Sequence, residues 1–241
     1  MHADKTVIVT GASQGIGAGV ANAFLDRGYN VVATSRQVSR SREIPDSDRV
    51  ARIDGDIANP ETARNVTEIA LARFGAIDAL VNNAGIFFTK PFIDYTVDDY
   101  RQLASTNTEG FLHLTQFVVR QMLAQKSGGS IVSITTPLVD HPIAGVDVSV
   151  AMITKGGIEA ASKNIAMEYA KAGIRVNTVA PGIVDTPLHK DDPKDVLETL
   201  SPMGVISTVQ DIVDAVVFLT EAPRITGETL HVDGGAHLGR W

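Results

Sequence analysis

The sequence predicts an α/β fold: a single domain in which a doubly wound, mainly parallel sheet lies between two layers of helices. Two observations support this prediction. Short apolar runs of strand length alternate along the chain with segments of helical periodicity, which is the order that right-handed βαβ crossovers produce. The first apolar run also opens directly into a glycine-rich turn at residues 11–17, and such a turn commonly begins a sheet of this type.

Each predicted strand is an apolar run that ends at turn residues or at a helical segment. In chain order the strands are Val7 to Thr10, Asn30 to Thr34, Val50 to Asp54, Ile77 to Val81, Ser130 to Ile134, Ile174 to Val179 and Glu228 to Val232. Because helical segments separate them, we expect neighbouring strands to be parallel and both faces of the sheet to be covered. Ligands of such sheets bind outside the carboxyl ends of the strands, so functional residues are expected just after each strand.

Composition limits the class of protein. The chain has 241 residues, of which 44% are hydrophobic, and it can therefore bury one large core. No Pro- or Ser-rich linker divides it, and its longest apolar runs are far shorter than a membrane span. Residues 1–241 are thus predicted to form one domain. The net charge of -7 argues against a nucleic-acid-binding or membrane-binding surface.

The cysteine count bears on redox environment and on metals. The chain contains no cysteine, which excludes disulfides and cysteine-ligated metals and agrees with a reducing compartment. No other metal site is predicted. Residues 1–5 run directly into the first strand and leave no room for a signal peptide, so the expected location is the cytoplasm.

The glycine-rich turn is the strongest functional signal. Glycine lets backbone N–H groups approach a pyrophosphate closely, and the positive end of the following helix favours its negative charge. A glycine-rich turn without a ligand is the alternative, but the position of this turn within a βαβ-length unit favours a dinucleotide site. The expected contacts come from Gly11, Ser13, Gln14, Gly15, Ile16 and Gly17.

The end of the second strand bears on the choice of cofactor. Sites for NAD commonly place an acid there, which binds the ribose 2′-hydroxyl. This chain instead has Ser35 and Arg36, which suit a 2′-phosphate through a hydrogen bond and an ion pair. Arg40 and Arg42 follow, and we interpret both as solvated charges. NADP(H) is therefore favoured over NAD(H).

Several further motifs occur in order at strand ends and on helices. They are Thr10 to Gly17, Asn82 to Gly85, Asn107, Lys155 to Gly157 and Pro181 to Gly182. With these motifs, the chain resembles the classical short-chain dehydrogenase/reductase family from about Lys5 to Gly235. The resemblance implies a Rossmann-type fold, a nicotinamide cofactor, a small carbonyl or alcohol substrate, and a homotetramer or homodimer. The C-terminal Trp241 is a candidate anchor for a subunit contact.

The resemblance also assigns roles to individual residues. Asp56 and Ile57 would contact the adenine, and Lys155 would bind the nicotinamide ribose. From its polar composition, the stretch at about 186–203 is expected to form a mobile lid over the substrate. The residues that would flank the cofactor or hold its nicotinamide amide are Asn83, Ala84, Gly85, Pro181, Gly182, Ile183 and Thr186. For the pair at 82 and 83, a turn that ties strands together is the alternative interpretation.

The catalytic segment departs from the family pattern. The family has a proton-donating tyrosine four residues before the lysine, whereas this chain has Ala151 four residues before Lys155. The family's helix asparagine corresponds to Asn107. Its catalytic serine corresponds to Thr136 if the fifth strand anchors the alignment, or to Leu138 if the lysine does. We prefer Thr136, since its hydroxyl can still bind a substrate oxygen.

Loss of a positioned acid typically lowers the rate about 10²–10⁴-fold unless another group replaces it. We consider three replacements: a water held by Lys155, Asn107 and Thr136; the imidazole of His141, whose ordinary pKa suits proton transfer; and an acidic group of the substrate.

Two functions therefore remain open. One is an oxidoreductase acting on a carbonyl or secondary alcohol. The other is an NADP(H)-binding protein without redox turnover, a sensor or partner subunit, or a scaffold with altered chemistry.

The loops that follow the strands suggest an apolar substrate pocket. Its expected lining is Ile86, Phe87, Phe88, Leu138, Val139, Ile143 and Leu188. Such a lining favours a hydrophobic carbonyl compound or alcohol over a charged sugar phosphate.

Overall fold

The computed structural model describes residues 5–239, so Trp241 lies outside the described residues. Seven strands form one sheet in the order β3-β2-β1-β4-β5-β6-β7, and every neighbouring pair is parallel. The strands are β1 (Thr6–Thr10), β2 (Asn30–Ser35), β3 (Val50–Asp54), β4 (Ala79–Asn82), β5 (Gly129–Ile134), β6 (Ile174–Pro181) and β7 (Thr229–Val232). The predicted fold class is confirmed.

Helices connect these strands and cover both faces of the sheet. They are α1 (Gly15–Asp26), α2 (Pro60–Phe74), α3 (Val97–Leu103), α4 (Gly110–Gln125), α5 (Ser149–Tyr169), α6 (Lys194–Glu198) and α7 (Val209–Glu221). None of the helices in residues 5–239 is both long and apolar enough to cross a membrane. The strand order reverses between β1 and β4, which is the switch point where sheets of this type bind ligands.

The core is divided by the sheet into two layers. Val7 and Val9 of β1 pack into one layer together with residues of α1 and α7. Ile8, between them, packs into the other with residues of α2, α4 and α5. This alternation follows from the period of two along a strand, and it gives β1 the continuous apolar run Val7 to Val9 because both faces of the sheet are covered.

The fourth strand begins later than predicted. Its expected start, Ile77, lies before β4 (Ala79–Asn82). The backbone N–H of Ile77 donates to Gln125 Oε1 at 3.0 Å, and the Ile77 carbonyl accepts from the same side chain at 3.1 Å. The amide of Gln125 thus satisfies the backbone groups that a neighbouring strand would otherwise bond.

Candidate active site

The glycine turn after β1 is packed too closely for side chains. Gly11 has a φ of +63°, and a Cβ there would lie 2.8 Å from Asn83 Nδ2 and 2.9 Å from Ala84 Cα. A Cβ on Gly17 would collide with the carbonyl oxygen of Gly11. Only glycine fits these two positions, because the β1–α1 turn lies directly against the end of β4.

The start of α1 is suited to an anion. Its N-cap residue, Gln14, has extended backbone and makes no side-chain hydrogen bond to the helix. The first turn contains no acidic residue. The backbone N–H groups of a helix start bind phosphate when no side chain caps them, so the turn fits the pyrophosphate of a dinucleotide.

Asn83 ties the end of β4 to the glycine turn. Its Nδ2 donates to the carbonyl oxygens of Thr10 and Gly11, at 3.0 and 3.2 Å. In return, Thr10 Oγ1 accepts the backbone N–H groups of Asn83 and Ala84, at 3.0 and 2.9 Å. The structural interpretation of this asparagine therefore holds, and the same bonds fix the floor of the candidate cofactor site.

A π-helical turn over Ala104–Glu109 joins α3 to α4 and places Asn107 next to the loop that follows β4. Asn107 Oδ1 accepts the backbone N–H of Ile86 at 2.8 Å, while Nδ2 donates to the Ile86 carbonyl at 3.1 Å and to Thr154 Oγ1 at 3.0 Å. Such turns are frequent at functional sites. Here the turn leaves the Asn107 side chain clamped between the β4 loop and α5.

Lys155 projects from α5 toward the same point. Its Nζ donates to the Ile134 carbonyl at the end of β5, at 2.8 Å. A Cβ on Gly85 would lie 3.2 Å from both Asn107 Oδ1 and Lys155 Nζ. Burial lowers the pKa of Lys155 from 10.5 to about 8, because the interior disfavours the charged form. The lysine can therefore exchange a proton near neutral pH.

A small cavity adjoins Lys155 and Asn107. Its volume is about 10 Å³, which is close to the space that one water occupies. Polar side chains at three strand ends and on two helices line it: Thr10, Asn82, Ser133, Asn107 and Lys155. Sequence reasoning did not select Ser133, whose Oγ accepts from Asn82 Nδ2 at 3.4 Å. In the sequence, Ser133 could have been found from its position one residue before the end of β5.

The end of β2 carries a half-buried Ser35 and an exposed Arg36. Within residues 5–239 no ion pair to Arg36 is formed. The nearest strand-end acid, Asp54 of β3, accepts hydrogen bonds from the backbone and hydroxyl of Ser39. These bonds hold the pKa of Asp54 below its usual range, so this carboxylate is already engaged.

The segment after β6 closes the opposite side of the site. A Cβ on Gly182 would lie 2.8 Å from Asp233 Cα, and the Ile183 carbonyl accepts the Ser207 N–H at 2.9 Å. A Cβ on Gly15 would approach Thr186 Cγ2 to 3.6 Å. Thr186 therefore lies beside the glycine turn, while Gly182 and Ile183 pack against Asp233 and Ser207.

Asp56 and Ile57 follow β3 and have different environments. Asp56 Oδ1 accepts the backbone N–H of Ala58 at 3.0 Å. Ile57 is 8% exposed and packs against Gly110 at the start of α4. Both lie at the carboxyl edge of the sheet, but most of Ile57 belongs to the core.

Most of the chain matches known proteins. A family model described as enoyl-(acyl carrier protein) reductase covers residues 11–237. The L-rhamnose 1-dehydrogenase (NAD(P)(+)) of Sphingomonas sp. strain SKA58 is 33% identical over 97% of this chain and 96% of its own. The 3-oxoacyl-(acyl-carrier-protein) reductase FabG of Salmonella typhimurium is 34% identical over 97% of this chain and 98% of its own. The chain belongs to the classical short-chain dehydrogenase/reductase family.

A solved structure shows the same likeness. The 3-ketoacyl-(acyl-carrier-protein) reductase of Brucella melitensis, complexed with NADH, has a TM-score of 0.90 to this short-chain dehydrogenase/reductase. The two chains are 28% identical, and the match covers 97% of this one and 98% of that one. The predictions of this family and of a nicotinamide-dependent oxidoreductase are confirmed.

In this short-chain dehydrogenase/reductase, Ala151 lies one helical turn before Lys155 and is fully buried. It packs with Leu103 and Val150, and the partly buried side chains around them are Ile86, Phe87, Phe88, Tyr95 and Met152. Three residues of the expected substrate lining thus pack against the cluster that contains Ala151. Of the others, Val139 lies near Gly156, and Leu188 is 62% exposed.

Tyr95 comes from the segment after β4 and reaches the cluster around Ala151, which its sequence position did not indicate. Its hydroxyl donates to the Phe88 carbonyl at 2.9 Å, and the two rings stack with centroids 5.9 Å apart. Burial raises the pKa of this phenol. The hydrogen bond to Phe88 holds the Tyr95 hydroxyl against the loop after β4.

The hydroxyl and imidazole candidates after β5 point to two different places. Thr136 is half-buried and caps the turn at Pro137–Val139, where its Oγ1 accepts the Leu138 N–H at 3.4 Å. The ring of His141 lies 6.0 Å from the ring of His231 and 5.7 Å from that of His237, centroid to centroid. The ring contacts of His141 are therefore with β7 and the C-terminal turn.

Proposed function

We propose that this short-chain dehydrogenase/reductase binds NADP(H) and catalyses hydride transfer between it and the carbonyl or secondary alcohol of a mainly apolar small molecule. The proposal rests on one observation: Gly85, Asn107 and Lys155 lie close together beside the glycine turn. The nicotinamide cofactor, when bound, supplies the hydride. The protein supplies its binding, its orientation and the proton.

Binding is assigned to the turn and the strand ends. The N–H groups at the start of α1 hold the pyrophosphate, and Lys155 holds the nicotinamide ribose. Residues 181–186 orient the nicotinamide amide from the opposite side. Ser35 and Arg36 favour the 2′-phosphate of NADP(H), since Arg36 is exposed and Asp54 is engaged by Ser39.

The proton is assigned to Lys155, acting through a water in the adjoining cavity. Ala151 offers only a methyl group, whereas Lys155 has a pKa of about 8 and borders a space of about 10 Å³. In reduction, Lys155 passes a proton through this water to the substrate oxygen as the hydride reaches its carbon. Asn107 lines this space and positions the water, and the hydroxyl of Thr136, which caps the turn after β5, is assigned to the substrate oxygen.

The substrate class follows from the surroundings of Ala151. Ile86, Phe87 and Phe88 present an apolar surface there, and residues 186–203 are proposed as the lid above it. Relatives named as dehydrogenases or reductases of rhamnose and of 3-oxoacyl groups support a carbonyl or secondary-alcohol centre. The apolar lining favours the more hydrophobic members of this class.

A homo-oligomer is also proposed. Phe111, Leu114 and Val118 of α4 are buried within the chain itself, so they are not available for a subunit contact. Leu112 on α4 and Ile153 on α5 are 46% and 56% exposed and suit a subunit contact. Light scattering after size exclusion would measure the mass, and a strictly monomeric protein would contradict this part.

A second function is favoured by the burial of Ala151. A site that holds NADP(H) without a working proton donor would be a sensor or the partner subunit of an active enzyme. The complete burial of the Ala151 methyl inside an apolar cluster supports it, because nothing polar replaces the phenol at that position.

Paired binding and turnover measurements separate the two functions. NADPH and NADH are titrated by fluorescence, and a panel of apolar ketones is assayed with the wild type, Lys155→Ala and Ala151→Tyr. Turnover by the wild type that Lys155→Ala loses supports the oxidoreductase. Binding of NADPH with turnover only in Ala151→Tyr supports the non-redox protein. If neither nucleotide binds, both functions are wrong.

A further inference from the structure

Three histidines from separate segments form a cluster at the carboxyl edge of the sheet. His141 follows the β5 turn, His231 lies in β7, and His237 lies in the C-terminal turn. We call them the histidine cluster. The rings of His231 and His237 stack with centroids 4.1 Å apart and an interplanar angle of 19°. All three residues are half-buried, so solvent protons reach them while their charges remain poorly screened.

One carboxylate organises the cluster. Asp233 is 5% exposed, and it accepts the backbone N–H of His237 at 2.9 Å and lies 3.0 Å from its Nδ1. Because a carboxylate only accepts hydrogen bonds, this contact places a proton of His237 on Nδ1. In contrast, burial and the neighbouring His237 lower the pKa of His231.

Other charged groups face the cluster from the elements packed against it. Glu159 on α5 opposes the lowering of the His231 pKa, as does Asp233. Glu159 is itself bonded to Lys163 at 2.8 Å, and Asp140 and Glu228 act on that lysine. The acids can balance one imidazolium, but a second one would lie face to face with the first at 4.1 Å, where like charges repel.

The histidine cluster joins two parts of the candidate active site. His141 belongs to the loop that begins at Thr136. The C-terminal turn contacts the end of the proposed lid, since a Cβ on Gly234 would collide with Ser201 Oγ and lie 3.6 Å from Met203 Cβ. Among residues 5–239 no three histidine, cysteine or acidic side chains are arranged to hold a metal ion. Proton binding is the chemistry that this arrangement supports.

We propose that the histidine cluster is a pH-sensitive latch. When at most one ring is charged, the cluster holds the C-terminal turn against the loop after β5. Uptake of a second proton below about pH 6.5 separates the stacked rings and loosens both segments. The lid loses its support at Ser201 as a result.

Hydrogen exchange of the full-length protein tests the latch without requiring turnover. Protection factors, corrected for intrinsic exchange, are compared at about pH 5.5 and about pH 8, on either side of the ordinary histidine pKa. We expect protection in residues 137–146 and 229–239 to be at least about tenfold lower at the acidic pH, with β1 unchanged. Equal protection at both pH values would overturn the proposal.

Variants assign the effect to the cluster. His231→Gln and His237→Gln remove one charge each, and both should reduce the pH dependence of protection. His113→Gln, in α4 and outside the cluster, is the matched control and should keep it. A pH dependence that persists in both cluster variants would overturn the latch.

Imidazole NMR titration of the wild type provides a test that does not depend on variants folding. In a latch, His231 binds its proton with a pKa below the ordinary value, because it is partly buried and the ring of His237 faces it. Independent titration of all three rings near 6.5 would refute it.

Discussion

Replacement of Lys155 by methionine should make the cofactor-free protein more stable at neutral pH. Lys155 is 9% exposed, and its pKa falls from 10.5 to about 8. That difference corresponds to about 3 kcal/mol of unfavourable burial while the lysine is charged. Methionine keeps the unbranched chain but loses the bond from the charged lysine to the Ile134 carbonyl, which contributes about 2 kcal/mol. The expected gain in the free energy of unfolding at pH 7 is therefore about 1 kcal/mol.

The stability gain of Lys155→Met should decrease as the pH rises. The pKa of Lys155 in the folded state lies below its value in the unfolded state, so the penalty is complete below pH 8 and fades as the pH rises toward 10.5. The advantage of Lys155→Met should thus shrink to nearly zero at about pH 9.5. Urea unfolding followed by circular dichroism at both pH values measures it.

An exposed lysine provides the control. Lys171 lies at the surface after α5, and Lys171→Met should change the free energy of unfolding by no more than about 0.5 kcal/mol at either pH. A Lys155→Met variant that is less stable than the wild type at pH 7, or a gain that is the same at both pH values, would refute the reasoning.

Three other predictions follow from the site. Gly17→Ala should destabilise the protein by about 1–3 kcal/mol in thermal unfolding and abolish nucleotide binding, because the new Cβ collides with the Gly11 carbonyl. Gly157→Ala is the control: its Cβ enters open space, and it should stabilise the protein by up to about 1 kcal/mol. Arg36→Ala should weaken NADPH binding about tenfold or more and leave NADH binding unchanged, and equal losses for both nucleotides would contradict a 2′-phosphate contact. Asn107→Ala leaves the backbone groups of Ile86 without their partner and should cost about 1–3 kcal/mol in urea unfolding, whereas a neutral result would show that water satisfies them.

The strands and the glycine turn were predictable because their signals are local. A buried parallel strand shows a continuous apolar run, as at Val7, Ile8 and Val9 of β1, and the turn that follows it needs glycine wherever the backbone of another segment comes within 3 Å of the Cβ position. The start of β4 was less predictable. Its boundary depends on the side chain of Gln125, which lies far away in the sequence.

The sequence by itself determined the sheet, the family and the residue types available at the strand ends. Only the tertiary structure decided how those groups act. It buries Lys155 and so lowers its pKa, and it brings Tyr95 to the cluster around Ala151. It also stacks His231 on His237 next to His141. Proton affinity depends on burial and on neighbouring charges, and both are set by residues that are distant in sequence and close in space.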